Sequence, residues 1–232
     1  MINKIFDTLA SAVADVHDGA TIMIGGFGTA GMPSELIDAL IEQGARDLTI
    51  VNNNAGNGDT GLAALLKAKR VRKIICSFPR QTDSYVFDAL YRAGEIEIEL
   101  ELVPQGNLAE RIRAAGAGIG GFFTPTGYGT RLAEGKETRE IDGKHYVLES
   151  PLHADFPLVK AYKGDRWGNL VYRKTARNFG PIMASAAKTA IVQVSQVVPL
   201  GALNPENIVT PGIFVQRVVE VPQAVHAAEL AA

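Results

Sequence analysis

The sequence predicts an α/β fold: a mostly parallel sheet with flanking helices and a β-rich C-terminal part. Between residues 21 and 124, short apolar runs alternate with helical patterns, and such alternation requires crossover connections between parallel strands. After Gly127 the apolar segments are mainly strand-like. A chain of 232 residues, 47% of them hydrophobic, is long enough to bury one large core.

The elements of the first part follow from local patterns. Residues 2–16 space apolar side chains at helical intervals and predict an amphipathic helix. Beyond it, the predicted strands are 21–25, 48–52, 71–77, 96–103 and 121–124, and the helices between them are 34–43, 62–67, 84–92 and 108–115. The strand 96–103 alternates apolar residues with glutamates, so we expect these carboxylates to form one solvated face rather than an acid–base site.

The second part is predicted from a turn signal and further apolar runs. Asp142-Gly143 tolerates the positive φ of a type I′ turn, so segments 137–141 and 144–149 predict a hairpin. Further strands are predicted at 158–163, 170–172, 190–194 and 213–218, with a short helix at 182–187. Because no linker or repeat separates the two parts, we expect a single domain over residues 1–221 and a frayed tail over residues 222–232.

The composition disfavours several classes of function. Because 23 basic residues nearly balance 25 acidic ones, no net positive field is available to hold nucleic acid. Cys76 is the only cysteine, and its apolar neighbours favour a buried strand residue over a nucleophile. The four histidines lack the spacing of metal ligands or of a catalytic triad. We therefore expect no metal site. Because no apolar run is long enough to span a membrane, we also expect a cytoplasmic protein.

A glycine-rich loop follows the first strand of the predicted sheet. Residues 25–33 read Gly-Gly-Phe-Gly-Thr-Ala-Gly-Met-Pro, and Pro33 can open a helix. Such a loop gathers backbone N–H groups suited to a phosphate or an oxyanion, although a ligand-free strand-to-helix turn would also require glycine. Residues 26–31 match the dinucleotide pattern G-x-G-x-x-G as well. However, the next predicted strand runs into residues 52–56 with no carboxylate before Asp59, so the acidic residue that would bind the ribose is missing from the strand end, which disfavours a nicotinamide cofactor.

The residues around this loop resemble the N-terminal signature of the 3-oxoacid CoA-transferase family, with every fixed position from Asp18 to Pro33 present. Four further stretches resemble the same family: 53–56, 103–111, 124–130 and 176–179. The resemblance extends to about Val219. Residues 78–81 and 179–183 are most similar to family members that act on 3-oxoadipate, and acetoacetate stays open as an alternative acceptor.

The resemblance implies the A subunit of a heteromeric enzyme. Family members move CoA from succinyl-CoA to a 3-oxoacid through a glutamyl-CoA thioester, and the glutamate lies in a Ser-Glu-Asn-Gly motif on the second half of the enzyme. Here the nearest string is Pro205-Glu206-Asn207-Ile208, so no catalytic residue is expected in this chain. The implied partner is a B subunit, in a heterodimer or heterotetramer. A CoA thioester is then a substrate, and no permanently bound cofactor is expected. A non-catalytic acyl-CoA-binding regulatory domain is the alternative.

Roles for particular residues follow from the same resemblance. Neutral amides at Asn53, Asn54 and Gln105 would lie near the reacting carboxyl group, with loop capping as the alternative for each. We favour Gln105 because it follows a strand end. Arg177 would hold a distal carboxylate or form a surface ion pair, and Tyr128 would line an acyl pocket or pack over a turn. CoA would be bound by Gly25, Gly26, Phe27, Gly28, Thr29, Ala30 and Gly31.

Overall fold

One large sheet organises most of the chain. The computed structural model describes residues 1–93 and 98–222, and within these residues the large sheet has nine strands and a second sheet has three. In chain order the strands are β1 (Ile5–Phe6), β2 (Thr21–Ile24), β3 (Leu48–Val51), β4 (Val71–Cys76), β5 (Glu99–Leu102), β6 (Phe122–Thr124), β7 (Thr138–Ile141), β8 (Lys144–Glu149), β9 (Phe156–Asp165), β10 (Leu170–Val171), β11 (Ile191–Val198) and β12 (Arg217–Glu220). The helices are α1 (Leu9–Val13), α2 (Ser34–Gln43), α3 (Leu62–Lys67), α4 (Tyr85–Ala93), α5 (Gln105–Ala117) and α6 (Gly180–Ser185).

The strand order of the large sheet reverses near its centre. The order is β1-β12-β11-β9-β2-β3-β4-β5 with parallel neighbours throughout, and β10 pairs antiparallel with β9. From β2 the chain moves outward through β3 and β4 to β5, whereas β9, β11 and β12 extend the sheet in the other direction. Open α/β sheets bind ligands outside the carboxyl ends of the strands at such a reversal. The crevice between β2 and β9 is therefore the expected place for a site.

Helices cover both faces of the large sheet. Alternate residues of β2 point to opposite faces: Ile22 and Ile24 belong to an apolar cluster with α1, α2, α3 and α4, whereas Met23 packs with α5 and α6. Burial of both faces explains why the central strands are continuous apolar runs. Within the described residues, no helix combines the length and the apolar character needed to cross a bilayer.

The small sheet is antiparallel and packs beside α5. Its order is β6-β8-β7, and the β7–β8 hairpin turns at Asp142 and Gly143, whose φ values of 50° and 72° fit the predicted type I′ turn. The buried Glu149 carboxylate accepts hydrogen bonds from Lys136 Nζ at 2.8 Å and from Asn107 Nδ2 at 3.2 Å. The bond from Asn107 links β8 to the first turn of α5.

The predicted fold class is confirmed, but four predicted elements are wrong in part. The helix 2–16 begins only at Leu9, because Thr8 is extended and its Oγ1 accepts a hydrogen bond from the Ser11 N–H at 3.0 Å. The preceding Ile5 instead pairs with Val218 in the sheet. Segment 213–218 opens with a 3₁₀ turn at Gly212–Phe214, so β12 starts at Arg217. Strand 121–124 joins the small sheet and not the parallel one.

The fourth error concerns the glutamate-rich strand. Residues 95–97 lie outside the described residues, and the strand runs over 99–102. Leu102 is 46% exposed, whereas Glu101 is half-buried and pairs with Lys73 at 2.8 Å and Arg111 at 3.2 Å. The predicted solvated face is therefore wrong at Glu101, because basic side chains from β4 and α5 lie against it. Of the predicted tail 222–232, only residue 222 lies within the described residues.

Candidate functional site

The glycine loop leaves β2 at the point where the strand order reverses. The Gly25 N–H donates to Leu158 O of β9 at 2.9 Å, and Phe27 and Ala30 exchange two backbone hydrogen bonds of 3.0 and 3.2 Å that close the tip. The turn needs a left-handed backbone at Gly28, with φ of +61°, and at Gly31, with φ of +76°. Phe27 at the tip is 47% exposed. The base of the loop is therefore held against β9, and the Phe27 side chain at its tip is exposed to solvent.

Asn178 fixes the base of the loop from a distant part of the sequence. Its Oδ1 accepts a hydrogen bond from the Gly26 N–H at 3.2 Å, and its Nδ2 donates to Ala30 O at 2.9 Å. A Cβ at Gly31 would lie 2.6 Å from Ala176 O, so the segment just before Asn178 presses against the loop as well. Asn178 was not predicted as a site residue, although it lies in one of the stretches that resemble the family. The signal that could have indicated it in the sequence was an amide side chain flanked by Arg177 and Phe179.

The loop offers fewer free N–H groups than the sequence suggests. Of the seven residues predicted to bind CoA, Gly25, Gly26, Phe27 and Ala30 donate their N–H groups to protein oxygens. Those of Gly28, Thr29 and Gly31 make no hydrogen bond to any described residue. Backbone N–H groups in such a loop are suited to an anionic oxygen. The donors available to a ligand are therefore these three.

Neutral side chains meet at the carboxyl ends of neighbouring strands. Asn53 follows β3, Ser77 follows β4, and Gln105 opens α5 just beyond β5. Gln105 Nε2 donates to Asn53 Oδ1 at 2.8 Å, and Ser77 Oγ donates to the same oxygen at 2.8 Å. These two bonds fix the orientation of the Asn53 amide. Within the described residues Asn53 Nδ2 donates to no acceptor, and Gln105 is exposed.

Ser77 was missed as a site residue, although the sequence carried a signal for it. It follows the strand between those that lead to Asn53 and Gln105, so the rule that favoured Gln105 applies to it equally. We refer to Asn53, Ser77 and Gln105 as the amide cluster.

Asn54 has a different role from Asn53. Its side chain is fully buried, and its Oδ1 accepts a hydrogen bond from the Gly56 N–H at 2.8 Å. Its neighbour Asn52 donates from Nδ2 to Ile24 O at 2.6 Å, which joins the ends of β3 and β2. Asn54 Nδ2 is buried with no partner among the described residues, at a cost of about 1–3 kcal/mol. The geometry of Asn54 thus matches the loop-capping alternative.

Tyr128 and Arg177 form no hydrogen bond with the amide cluster in the described part of the chain. Tyr128 is 42% exposed and stacks on His145, with ring centroids 4.5 Å apart. Its loop nevertheless lies beside α5, because Thr126 O accepts a hydrogen bond from Asn107 Nδ2 at 3.4 Å. Arg177 is exposed, ends a 3₁₀ turn at Lys174–Arg177, and pairs with no described carboxylate. Its neighbours on both sides contact the glycine loop.

Cys76 and Glu206, which the sequence analysis rejected as nucleophiles, lie where the sequence predicts. Cys76 is completely buried in β4, and burial raises the pKa of its thiol to about 12, so it is uncharged at neutral pH. Glu206 is exposed on a 3₁₀ turn at Pro205–Asn207, where Asn204 Oδ1 accepts its backbone N–H.

Comparison with known proteins agrees with this fold. The family model described as "Coenzyme A transferase" matches residues 6–221, so the chain belongs to the coenzyme A transferase family, and the resemblance seen in the sequence is confirmed. The chain is 76% identical to the A subunit of 3-oxoadipate CoA-transferase from Pseudomonas putida, over 97% of this chain and 96% of the relative. It is 48% identical to the A subunit of succinyl-CoA:3-ketoacid coenzyme A transferase from Helicobacter pylori strain J99, over 94% and 92%.

Solved structures with the same fold are more distant in sequence. Glutaconate coenzyme A-transferase from Acidaminococcus fermentans has a TM-score of 0.82 at 22% identity, covering 94% of this chain and 76% of that one. An acyl-CoA transferase from Escherichia coli O157:H7, solved as a thioester complex with CoA, has a TM-score of 0.81 at 22% identity. That match covers 96% of this chain but only 48% of the E. coli chain, so this chain spans about half of its length.

Proposed function

We propose that this chain is the A subunit of a CoA-transferase that moves CoA from succinyl-CoA to a 3-oxoacid, with 3-oxoadipate as the acceptor. The 76% identity to a relative named for 3-oxoadipate, against 48% for one named for 3-ketoacids in general, supports this acceptor over acetoacetate. Both relatives are named as A subunits, which supports a partner B subunit. The complete enzyme is then a heterodimer or heterotetramer that acts in the cytoplasm.

The amide cluster is the observation that carries the proposal. Because Asn53 Oδ1 already accepts hydrogen bonds from Gln105 and Ser77, Asn53 Nδ2 is the donor left for an oxygen of the substrate. Neutral amides can hold a carboxylate before reaction and an uncharged acyl group after it. A fixed positive charge in their place would stabilise the ground-state carboxylate and raise the barrier. The cluster therefore suits a reaction in which a carboxylate becomes a thioester.

In the proposed reaction this chain binds and orients the substrates, and a glutamate of the B subunit is the nucleophile. The glutamate carboxylate attacks the succinyl thioester, the C–S bond breaks, and an acyl anhydride and CoA thiolate result. The thiolate then attacks the glutamyl carbonyl and releases succinate, which leaves a glutamyl-CoA thioester on the B subunit. The 3-oxoacid reverses both steps. The N–H groups of Gly28, Thr29 and Gly31 would stabilise the oxyanion of each attack.

Reconstitution tests the proposal. The chain is purified alone and together with a B subunit that carries Ser-Glu-Asn-Gly, and transfer from succinyl-CoA is followed with 3-oxoadipate and with acetoacetate. We expect no transfer by either polypeptide alone, transfer by the pair, and a higher kcat/KM for 3-oxoadipate. Mass spectrometry of the pair incubated with succinyl-CoA should find bound CoA on the B subunit only.

Other outcomes contradict specific parts of the proposal. Transfer by the chain alone would contradict the assignment of the nucleophile to the partner. A higher kcat/KM for acetoacetate would overturn the acceptor. An inactive pair in which calorimetry still detects acyl-CoA binding would favour a non-catalytic acyl-CoA-binding domain.

A further inference from the structure

The loop after β4 reaches from the amide cluster to the glycine loop. It comprises residues 77–84, and its first residue, Ser77, belongs to the amide cluster. Further along, the Gln81 side chain lies beside the glycine loop, because a Cβ at Gly28 would be 3.8 Å from Gln81 Oε1. Gln81 therefore borders the space through which a ligand would approach Gly28.

Hydrogen bonds fix the main chain around Gln81. The Gln81 N–H donates to Ser84 Oγ at 2.7 Å, and the Ser84 N–H donates to Gln81 O at 3.3 Å. Ser84 is buried, and its Oγ donates to Gly56 O at 3.0 Å. The Gly58 N–H donates to Asp83 O at 2.9 Å, so the segment after β3 and the loop after β4 hold each other. A side chain on such a backbone is positioned before a ligand arrives.

Asn57 fixes which way the half-buried Gln81 amide points. Asn57 Nδ2 donates to Gln81 Oε1 at 2.5 Å, which occupies the acceptor of that amide. The other amide atom, Nε2, carries two donors. Within residues 1–93 and 98–222 Gln81 Nε2 donates to no acceptor. Asn53 shows the same arrangement, since bonds to its Oδ1 leave Nδ2 for a ligand.

The donor beside Gly28 is neutral. Arg80 is the only basic residue of the loop, and its Nε lies 2.6 Å from Asp88 Oδ1 of α4. A fixed positive charge would also stabilise the carboxylates that enter and leave the site. A neutral amide suits an oxygen that becomes negative only while the reaction proceeds.

We propose that Gln81 Nε2 donates a hydrogen bond to the acyl oxygen while that oxygen is negatively charged, beside the free N–H groups of Gly28, Thr29 and Gly31. The proposal rests on the proposed function, which supplies the acyl-CoA substrate. When the glutamate carboxylate of the B subunit attacks, the electron pair of the C=O bond moves onto the oxygen. When this pair returns, the C–S bond breaks and the CoA thiolate leaves. Donors fixed in advance stabilise the charge between these two events.

Two variants remove the donor in different ways. Gln81→Met has neither donor nor acceptor, whereas Gln81→Glu keeps an acceptor for Asn57 and lacks the donor. Gln216→Met is the matched control, because Gln216 Oε1 also accepts one hydrogen bond, from the Ala190 N–H at 2.6 Å. Gln216 lies just before β12, at the amino edge of the parallel strands, whereas the glycine loop leaves the carboxyl edge.

The attack on the thioester can be measured directly. The assembled pair of A and B subunits is mixed with succinyl-CoA, and rapid quenching followed by mass spectrometry gives the rate at which CoA becomes bound to the B subunit. Steady-state kinetics with 3-oxoadipate give kcat and the KM for succinyl-CoA. Urea unfolding of each variant chain gives its stability.

The expected effect is on rate and not on binding. Both Gln81 variants should lower kcat and the rate of CoA attachment by about tenfold to 100-fold, with the KM for succinyl-CoA changed by less than about twofold, because the donor acts in the transition state. Gln216→Met should keep both rates within about twofold. Gln81→Met and Gln216→Met should lose similar amounts of stability, since each removes one accepted hydrogen bond.

Three results would overturn the role of Gln81. Slower attachment in Gln81→Met that Gln81→Glu does not share would show that the side chain only braces the loop through Asn57. Slower attachment in Gln81→Glu alone would make the introduced charge the cause. A raised KM with unchanged rates would show that Gln81 binds the substrate before the reaction and does not contact the oxyanion.

Failure of this proposal can be told from failure of the proposed function. An active wild-type pair whose Gln81 variants keep the wild-type rates overturns the role of Gln81 and leaves the transferase reaction standing. A wild-type pair that attaches no CoA to the B subunit overturns the transferase reaction. The role of Gln81 is then overturned with it, since no oxyanion forms.

Discussion

Replacing Gly31 by alanine should destabilise the chain far more than replacing Gly28, although the two glycines share one loop. Both have left-handed backbones, which cost a residue with a Cβ about 1–2 kcal/mol, offset in part by the lower entropy of the unfolded chain. At Gly28 the new Cβ would meet only Gln81 Oε1, at 3.8 Å. At Gly31 it would lie 2.6 Å from Ala176 O, closer than the 3.0 Å that Cβ atoms keep from other atoms. Such overpacking adds about 1–3 kcal/mol.

The chain supplies a matched control for each substitution. Gly58 has the same φ of +61° as Gly28, and Gly135 has the same φ of +76° as Gly31, and nothing lies within 4 Å of a Cβ at either control. We expect the free energy of unfolding to fall by about 1 kcal/mol in Gly28→Ala and in both controls. In Gly31→Ala it should fall by about 3 kcal/mol. Urea unfolding followed by circular dichroism measures these differences.

Enzyme activity, unlike stability, should be affected more by substitution at Gly28 than by substitution at Gly31. The open space beside Gly28 is where the proposed ligand would approach the loop, so Gly28→Ala should raise the KM for succinyl-CoA by about tenfold in the assembled pair, and Gly28→Val should abolish activity while the chain stays soluble. Gly58→Ala and Gly135→Ala should retain the wild-type KM. Equal destabilisation by Gly31→Ala and Gly135→Ala would refute the packing argument. A wild-type KM in Gly28→Ala would refute the placement of the ligand.

Three further substitutions test the neighbouring contacts. Gln105→Ala removes an exposed amide, so steady-state kinetics should show kcat/KM lower by about tenfold or more, whereas the free energy of unfolding should change by less than about 1 kcal/mol. An unaltered kcat/KM would count against a role of the amide cluster in the reaction. Asn178→Ala leaves the Gly26 N–H and Ala30 O unpaired, so urea unfolding should show a free energy of unfolding lower by about 1–3 kcal/mol. The decrease should be smaller in Asn178→Asp, which keeps the acceptor, and equal decreases would contradict the two-bond arrangement. Burial opposes ionisation of Glu101, but hydrogen bonds from two basic neighbours outweigh it and hold the pKa below its usual 4.5. Its contribution is therefore present above pH 4.5 and lost as the pH falls through the lower folded-state pKa. The difference in stability between wild type and Glu101→Gln should stay constant above pH 4.5 and shrink as the pH is lowered further, and a difference that does not change with pH would disprove the linkage.

The sequence predicts elements well where their signals are local. The bounds of α2 and α3 match the predicted 34–43 and 62–67. In α2 the helical pattern is followed by Gly44, which adopts the left-handed conformation that commonly ends a helix. The N-terminal strand was missed because Ile5 and Phe6 also fit a helical spacing. Their true partner is β12, more than 200 residues away in the chain, and no local pattern reports such a pairing.

The same distinction applies to the site. Asn53 and Gln105 were predicted from the family resemblance, and Gln105 was favoured because it follows a strand end. The structure joins the two side chains because the ends of parallel strands share one edge of a sheet. Asn178 follows no strand of that series. Its position depends on how β9 and the 3₁₀ turn at Lys174–Arg177 return to the glycine loop, which only the reversed strand order determines.

That reversal also dictates when the site can exist. The hydrogen bond between Gly26 and Asn178 joins residues 152 positions apart, and the one between the Thr21 N–H and Asp155 spans 134. During synthesis the glycine loop therefore leaves the ribosome long before the residues that shape it, and β2 waits as an unpaired edge until β9 arrives. Pairing over such separations is slow. The proposed ligand site is completed late in biogenesis, so its capacity to bind a ligand would report that the chain has been made and folded at least as far as Asn178.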